Sequence, residues 1–256
     1  MFKIKYEIKS KYLTTKTKRR SGIPMNGVRF IVAHDTGNPS STAINNVNYY
    51  ERSHNDDFAS AHLFVDDKEV YECIPTGMIN DMTPEKAWHV VYDTPIDNQL
   101  YGCDANDYSI GIEYCYGGKI DAEEAYKRFV WLTAYVCYKY GLNPAKDVTG
   151  HHILDPKRKI DPKNGLNLSL GITFEQYIAD VVKEYEECKG DDDEMNKVLD
   201  YDDWAWTELD KYMGDAYNEG IIEDWKWVQQ VRDHTMTYKD LLLLKILIDD
   251  RRHKKQ

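Results

Sequence analysis

The chain has 256 residues, 42% hydrophobic and 30% charged, with a formal net charge of −11. That length accommodates one full domain and a smaller second one, and no apolar run approaches the roughly 18 residues of a membrane-spanning helix. The acidic balance argues against a protein held to nucleic acid by a general basic surface, and 20 Tyr with 6 Trp argue against disorder.

Met1 to Arg20 carries eight basic residues and one acid, without the apolar run of a secretory signal. Its alternation of Phe2, Ile4, Tyr6 and Ile8 with Lys3, Lys5, Glu7 and Lys9 predicts a half-exposed strand or an extended arm. Gly27 to His34 is a β-branched apolar run, a buried strand ending on His34. A helix follows over Ala43–Arg52, with Ser41 or Thr42 as N-cap. Two strands, Ala61–Val65 and Val70–Ile74, flank the turn Asp66-Asp67-Lys68. Ser109–Cys115 is a second buried strand, closed by Gly117-Gly118. Phe129, Leu132, Val136 and Tyr140 share one face of a long helix over Ala122–Tyr140, which Gly141 terminates. Strands and helices alternate, so the first domain is predicted to be α/β.

Between Lys183 and Glu194 lie seven acids and two lysines, so nearly half of the net charge sits in twelve residues. Like charges at that density stay solvated. The division expected from this is a catalytic domain over residues 1–188, an acidic linker over 189–194 and a C-terminal domain over 195–256. The five cysteines are odd in number and contain no CxxC pair, which points to neither a disulfide framework nor a thiolate zinc ribbon. Synthesis in a reducing cytoplasm without a signal peptide is expected, with action elsewhere only after a membrane has been opened.

Five of the eight histidines sit in short distinctive contexts: His34, His62, His89, His151 and His152. A hydrolytic zinc site takes three protein ligands and keeps a fourth position for water. His34 can supply one ligand from its strand end, and the segment Gly150–Pro162 two more, through His151 and Asp161. Asp155 and His152 compete for those places. Pro156 and Pro162 keep this segment from continuing as helix.

The strings IVAHDTG (31–37), ASAHLFVDD (59–67), AWH (87–89), YSIGIE (108–113) and GHHILDPKRKIDP (150–162) occur in the order found in zinc-dependent N-acetylmuramoyl-L-alanine amidases. The chain resembles that family, which includes phage endolysins, wall-recycling amidases and peptidoglycan recognition proteins, over most of residues 20–170. The resemblance implies a central mixed β-sheet flanked by helices, with Zn²⁺ held by His34, His151 and Asp161. It implies Glu113 as acid/base and Lys159 as stabiliser of the oxyanion. His62, His89 and Trp88 fall at groove positions, for substrate contact or for support of the ligands. Many Gram-positive phage members carry Cys as third ligand. Asp161 resembles instead the recycling-amidase form, and a carboxylate donates less electron density than a thiolate.

Residues 195–256 are expected to form a small, mainly helical domain. Its first helix stops at Gly220, and its second runs over Tyr238–Arg251 behind Thr237 as N-cap. Leu241, Leu244, Lys245 and Ile248 are expected on one face of that second helix. The order Trp204-Ala-Trp206, Gly220-Ile-Ile222, Thr237 resembles an S-layer-homology-like wall-binding module. So small a unit has a limited core, which self-association or docking would support.

The expectation is thus an endolysin-type amidase whose partner is bacterial peptidoglycan, with a wall polymer bound by the C-terminal domain, and with neither nucleic-acid binding nor membrane insertion. The alternatives are a non-catalytic peptidoglycan-binding protein on the same fold and a cytoplasmic wall-recycling amidase.

Overall fold

The computed structural model describes residues 2–92, 94–190 and 195–255. The acidic run at 191–194, the centre of the expected linker, lies outside them. The described residues form two compact units, Phe2–Lys189 and a second from Gly190 onward.

The first unit is α/β. Six strands, β1 (Ile8–Ser10), β2 (Phe30–Asp35), β3 (Leu63–Val65), β4 (Val70–Glu72), β5 (Ser109–Tyr114) and β6 (Val148–Gly150), form one sheet in the order β1-β4-β3-β5-β2-β6. Only the β3–β4 hairpin is antiparallel; β1–β4, β3–β5, β5–β2 and β2–β6 pair in parallel. The sheet is therefore mixed, with β5 between β3 and β2, and β2 covered on its other side by the edge strand β6.

Side chains alternate along a strand, which assigns each residue of β2 and β5 to a face. Ile31, Ala33, Ile110, Ile112 and Tyr114 enter the large core with Phe129 and Trp131. Those two residues belong to the long helix α4 (Ala122–Tyr140). Phe30 and Val32 face the other way and join Val90, Cys103, Ala105 and Leu154. This smaller cluster sits under two short helices, α2 (Ile96–Tyr101) and α3 (Ala105–Tyr108).

Local chemistry explains the element ends. α1 (Ala43–Arg52) begins at Thr42, whose side chain accepts from the Asn45 N–H. Asp66 closes the hairpin by accepting from the Lys68 and Glu69 N–H groups at 2.8 Å each, while its other oxygen accepts from Ala43 N–H at 2.8 Å. One carboxylate thus fixes both a turn and a helix start. Asp121 caps α4 through the Glu123 and Glu124 N–H groups, and Gly141 ends it with φ 65°. A left-handed residue there costs little only as glycine.

The expected arm at the N-terminus is mostly extended chain: only Ile8–Ser10 pairs as a strand, Phe2 is buried and Ile4 is 58% exposed. Sequence patterning did not indicate α2, α3, β6 or the helices α5 (His151–Leu154) and α6 (Lys163–Leu170). α7 (Phe174–Lys189) completes the unit and buries Phe174, Tyr177 and Val181. All five cysteines are buried and free.

The second unit consists of α8 (Asp203–Asn218), α9 (Lys226–Arg232) and α10 (Tyr238–Lys255) around Leu199, Trp206, Met213, Ile222, Val228 and Ile248. Gly220 follows α8 with φ 65°. The Thr237 hydroxyl accepts from Asp240 N–H at 3.2 Å and donates to the Asp240 carboxylate at 2.8 Å, a reciprocal cap at the head of α10. Leu244 and Ile248 turn inward as expected, whereas Lys245 is exposed. The tryptophans divide: Trp206 is buried and stacks on His234 at 4.5 Å, whereas Trp204 is 70% exposed. No helix of the described residues is long and apolar enough to cross a membrane.

Candidate active site

The site is built at the ends of the neighbouring parallel strands β2 and β5. His34 and Glu113 are register partners on β2 and β5, so both side chains leave the sheet on the same face. His151 follows β6 and opens the one-turn helix α5, so the segment begins as a helical turn before it becomes the expected loop. Asp161 returns beside it: its carbonyl oxygen accepts from His152 N–H at 2.9 Å.

Three donor atoms converge. His34 Nδ1 and His151 Nδ1 lie 3.0 and 3.1 Å from the same oxygen, Asp161 Oδ2, and the donor atoms of all three residues fall within 4.8 Å of one another. A tetrahedral metal with bonds of about 2.0–2.1 Å needs donors about 3.3 Å apart, so the arrangement fits such an ion. The protonation states fit as well. Burial pushes the His34 imidazole down to about 4, more than the hydrogen bond to Asp161 raises it. Burial raises the Asp161 carboxyl, but the bonds to His151 and His34 outweigh this and hold it below the usual carboxylate range. Neutral imidazole and ionised carboxylate are the ligating forms.

The competing ligands are placed elsewhere. Asp155 pairs with Arg158 at 2.5 Å, and the His152 ring lies against Phe174 with Nδ1 3.2 Å from the Asp161 carbonyl.

Behind the cluster stands a chain of imidazoles. His34 Nε2 lies 3.0 Å from His89 Nδ1, and His89 Nε2 lies 3.4 Å from Ser109 Oγ, which donates to Ala105 O. A proton on each Nε2 satisfies the His34–His89–Ser109 series and leaves a lone pair on His34 Nδ1, the form that ligates a metal; the other tautomer instead donates from Nδ1 to Asp161. The His89 ring lies flat on β5 because residue 111 is glycine: a Cβ there would stand 2.8 Å from the ring. His62 packs edge to face on His89, accepts from Gly111 N–H at Nδ1 and donates from Nε2 to Glu85 O. Of the two roles expected of His62, substrate contact or support of the ligands, the geometry favours support: the ring is fully buried and both nitrogens are bound to backbone.

Glu113 is half-buried, and its Oε2 is shielded from solvent with no hydrogen-bond partner among the described residues; the same holds for His151 Nε2. Burial, followed by the charges of Asp161 and Asp35, pushes the Glu113 carboxyl well above its ordinary value. A cavity of about 620 Å³ opens beside His151, with Trp88, His89 and Lys159 also in its lining and the exposed rings of Phe58 and Tyr92 at its wall.

Two supports escaped the sequence reading. Asp35 accepts from Gly37 N–H at 2.9 Å and from Gly165 N–H at 2.8 Å, which ties the end of β2 to α6 just after Asp161. Gly165 has no room for a Cβ, which would meet Asp35 at 2.7 Å. Arg20 grips Glu85 with two bonds of 2.8 and 2.7 Å, and the Glu85 carbonyl in turn holds His62. The only sequence signal for the first was a carboxylate directly after His34, and nothing in the sequence pointed to the second. Replacing Asp35 by Ala orphans a buried N–H and should lower unfolding free energy by about 2 kcal/mol, measured by urea denaturation. An unchanged midpoint would remove the anchoring role.

Comparison with known proteins identifies the family and the fold. The sequence profile of the N-acetylmuramoyl-L-alanine amidases matches residues 24–164. The chain belongs to that family. Among curated relatives, the N-acetylmuramoyl-L-alanine amidase BlyA of Bacillus subtilis (strain 168) is 29% identical over 156 residues, 57% of this chain and 40% of the relative. CwlL of Bacillus licheniformis, another amidase by name, is 30% identical over 139 residues, 52% of this chain and 36% of the relative. The amidase homologue described here thus spans about two fifths of the length of these relatives. Solved structures share the fold: the catalytic domain of XlyA has a TM-score of 0.53 at 23% identity, covering 68% of this chain and 99% of its own. PlyL has a TM-score of 0.51 at 25% identity, covering 68% and 96%.

Proposed function

We propose that this chain is an endolysin-type zinc amidase that hydrolyses the amide between the lactyl group of N-acetylmuramic acid and L-alanine in peptidoglycan. The observation that carries this reading is the convergence of His34 Nδ1, His151 Nδ1 and Asp161 Oδ2 on the sheet face that also bears Glu113, whose shielded Oε2 has no hydrogen-bond partner among the described residues. Three ligands with an open position are the donor set of hydrolytic zinc. Zinc bound there supplies a Lewis acid and brings the pKa of water toward about 7.

The remaining work falls to side chains of this chain. Glu113 Oε2 takes the proton of the attacking water and delivers it to the leaving amine, and burial tunes its pKa upward in the direction a general base needs. Lys159, exposed at the cavity rim, brings positive charge toward the oxyanion. Trp88 and the edge of His89 shape the wall on which the saccharide and lactyl groups rest, and His62 packs edge to face on His89 to hold its ring in place.

The second unit is assigned to binding a wall polymer, which raises the local concentration of the catalytic unit on its substrate. Its exposed Trp204 beside Tyr201 offers an aromatic surface to sugar rings. Action on the wall after another agent opens the membrane follows from this reading.

Incubation with purified muropeptides, followed by mass spectrometry, tests the assignment. Free stem peptide with an L-alanine N-terminus is expected, abolished by a chelator and restored by zinc. A chain ending at residue 190 should keep this turnover on soluble fragments and lose retention on intact walls. Binding to peptidoglycan without any chelator-sensitive release would favour the non-catalytic alternative.

A further inference from the structure

The last helix of the second unit carries more apolar surface than its own unit covers. α10 buries Leu244 and Ile248, 6% and 0% exposed, with Leu241 and Leu247 packed at the margin of the small core. At 3.6 residues per turn, the opposite side of the helix carries Lys239, Leu242, Leu243, Ile246 and Asp250. Leu242, Leu243 and Ile246 are 51%, 58% and 60% exposed, and Lys239 and Asp250 are exposed at either end. A helix apolar on opposite sides is normally covered on both.

The order along this outer stripe says what covers it. Lys239, Leu243, Ile246 and Asp250 are spaced by four, three and four residues, the spacing of a seam between paired helices. The stripe is basic at its start, apolar in the middle and acidic at its end. Lys239 lies in the first helical turn, where the macrodipole opposes a positive charge and an outside carboxylate would relieve it. Asp250 is held by Lys254 of its own helix at 2.7 Å, which fixes it on the surface. Two copies of this helix laid antiparallel about a two-fold axis set Lys239 against Asp250 of the second copy and Leu243 against Ile246 of the second copy, each pairing occurring twice. A parallel arrangement would set like charges together.

We propose that the outer face of α10 is a self-association surface whose occupant is a second copy of this chain, packed antiparallel through Leu242, Leu243 and Ile246 and registered by Lys239 and Asp250. Three large apolar side chains per copy make an interface below the roughly 1,200 Å² of a standard one, so the dimer depends on concentration. A bacterial wall that gathers these chains on one polymer would favour it. Self-association is read as mass rather than turnover, so its outcome is independent of the amidase reading.

Sedimentation velocity of the full chain between about 1 and 200 μM, the range suited to a small interface, is the test. The mass is expected to rise toward twice that of the monomer. Ile246→Glu should remain monomeric throughout, with unchanged helical circular dichroism and unchanged Tm because the side chain lies outside the core. Lys239→Asp and Asp250→Lys, each creating two like-charge contacts, should each weaken association about tenfold, and the double variant should recover most of the loss. A wild-type chain that stays monomeric, an Ile246→Glu variant that still associates, or a charge swap without recovery would overturn the proposal.

Discussion

Replacing Glu113 by Gln will lower kcat on soluble muropeptides by about 10³-fold, within the ~10² to 10⁴ range of a lost general acid/base, and will leave zinc affinity unchanged. The side chain leaves β5 in register with His34 but is not one of the three converging donors. Its loss therefore removes proton transfer without removing a ligand. The same substitution carries a second readout in metal-free protein. Burial and the neighbouring carboxylates raise the pKa of this carboxyl in the folded state, so folding holds its proton more tightly than the unfolded chain does. Stability from such a group is complete below the unfolded value near 4.5 and falls as pH rises toward the folded value. At neutral pH the uncharged amide avoids that loss, so metal-free Glu113→Gln should melt higher than metal-free wild type, with the difference vanishing toward pH 4. Near-normal kcat would remove Glu113 from the chemistry, and a lower Tm would show that the carboxylate is structural.

The sequence was most informative where one short string holds both a fold signal and a chemical one. IVAHDTG reads as a buried strand and delivers His34 at its end because apolar residues and a terminal polar residue are adjacent in the chain. SIGIE does the same for Glu113, and its glycine proves to be the space into which His89 fits. What escaped was pairing across the fold. Nothing local distinguishes Asp35 from any carboxylate in a turn until Gly165, far along the chain, brings its N–H to within 2.8 Å. The choice between the two roles of His62 was hidden for the same reason: the Gly111 N–H and Glu85 carbonyl that occupy its ring come from distant segments. The short helices α2, α3 and α5 span six residues or fewer, too few for a hydrophobic period to declare itself. In the second unit, the outward leucines of α10 blur the amphipathic pattern that fixed α4, because two faces of one helix are apolar.

Replacing His34 by Ala should abolish zinc binding and turnover together, unlike the change at Glu113. Its Nδ1 is one of only three donors, and it sits 3.0 Å from the Asp161 oxygen that also meets His151. Two remaining ligands do not make a hydrolytic zinc site. The supporting imidazole supplies the comparison. His89 orients His34 by accepting at Nδ1 from His34 Nε2 and is not a donor in the cluster, so His89→Ala should cost about 10- to 100-fold in zinc affinity, the usual effect of removing a hydrogen-bond partner of a ligand. His34→Ala should exceed that loss. Competition with a chromophoric chelator measures both affinities without reference to activity. A graded outcome, with His34→Ala weakest, His89→Ala intermediate and Glu113→Gln unchanged, separates the ligand, its support and the proton carrier. Equal affinities for His34→Ala and wild type would move the metal away from this cluster, and with it the basis for assigning hydrolysis to this face of the sheet.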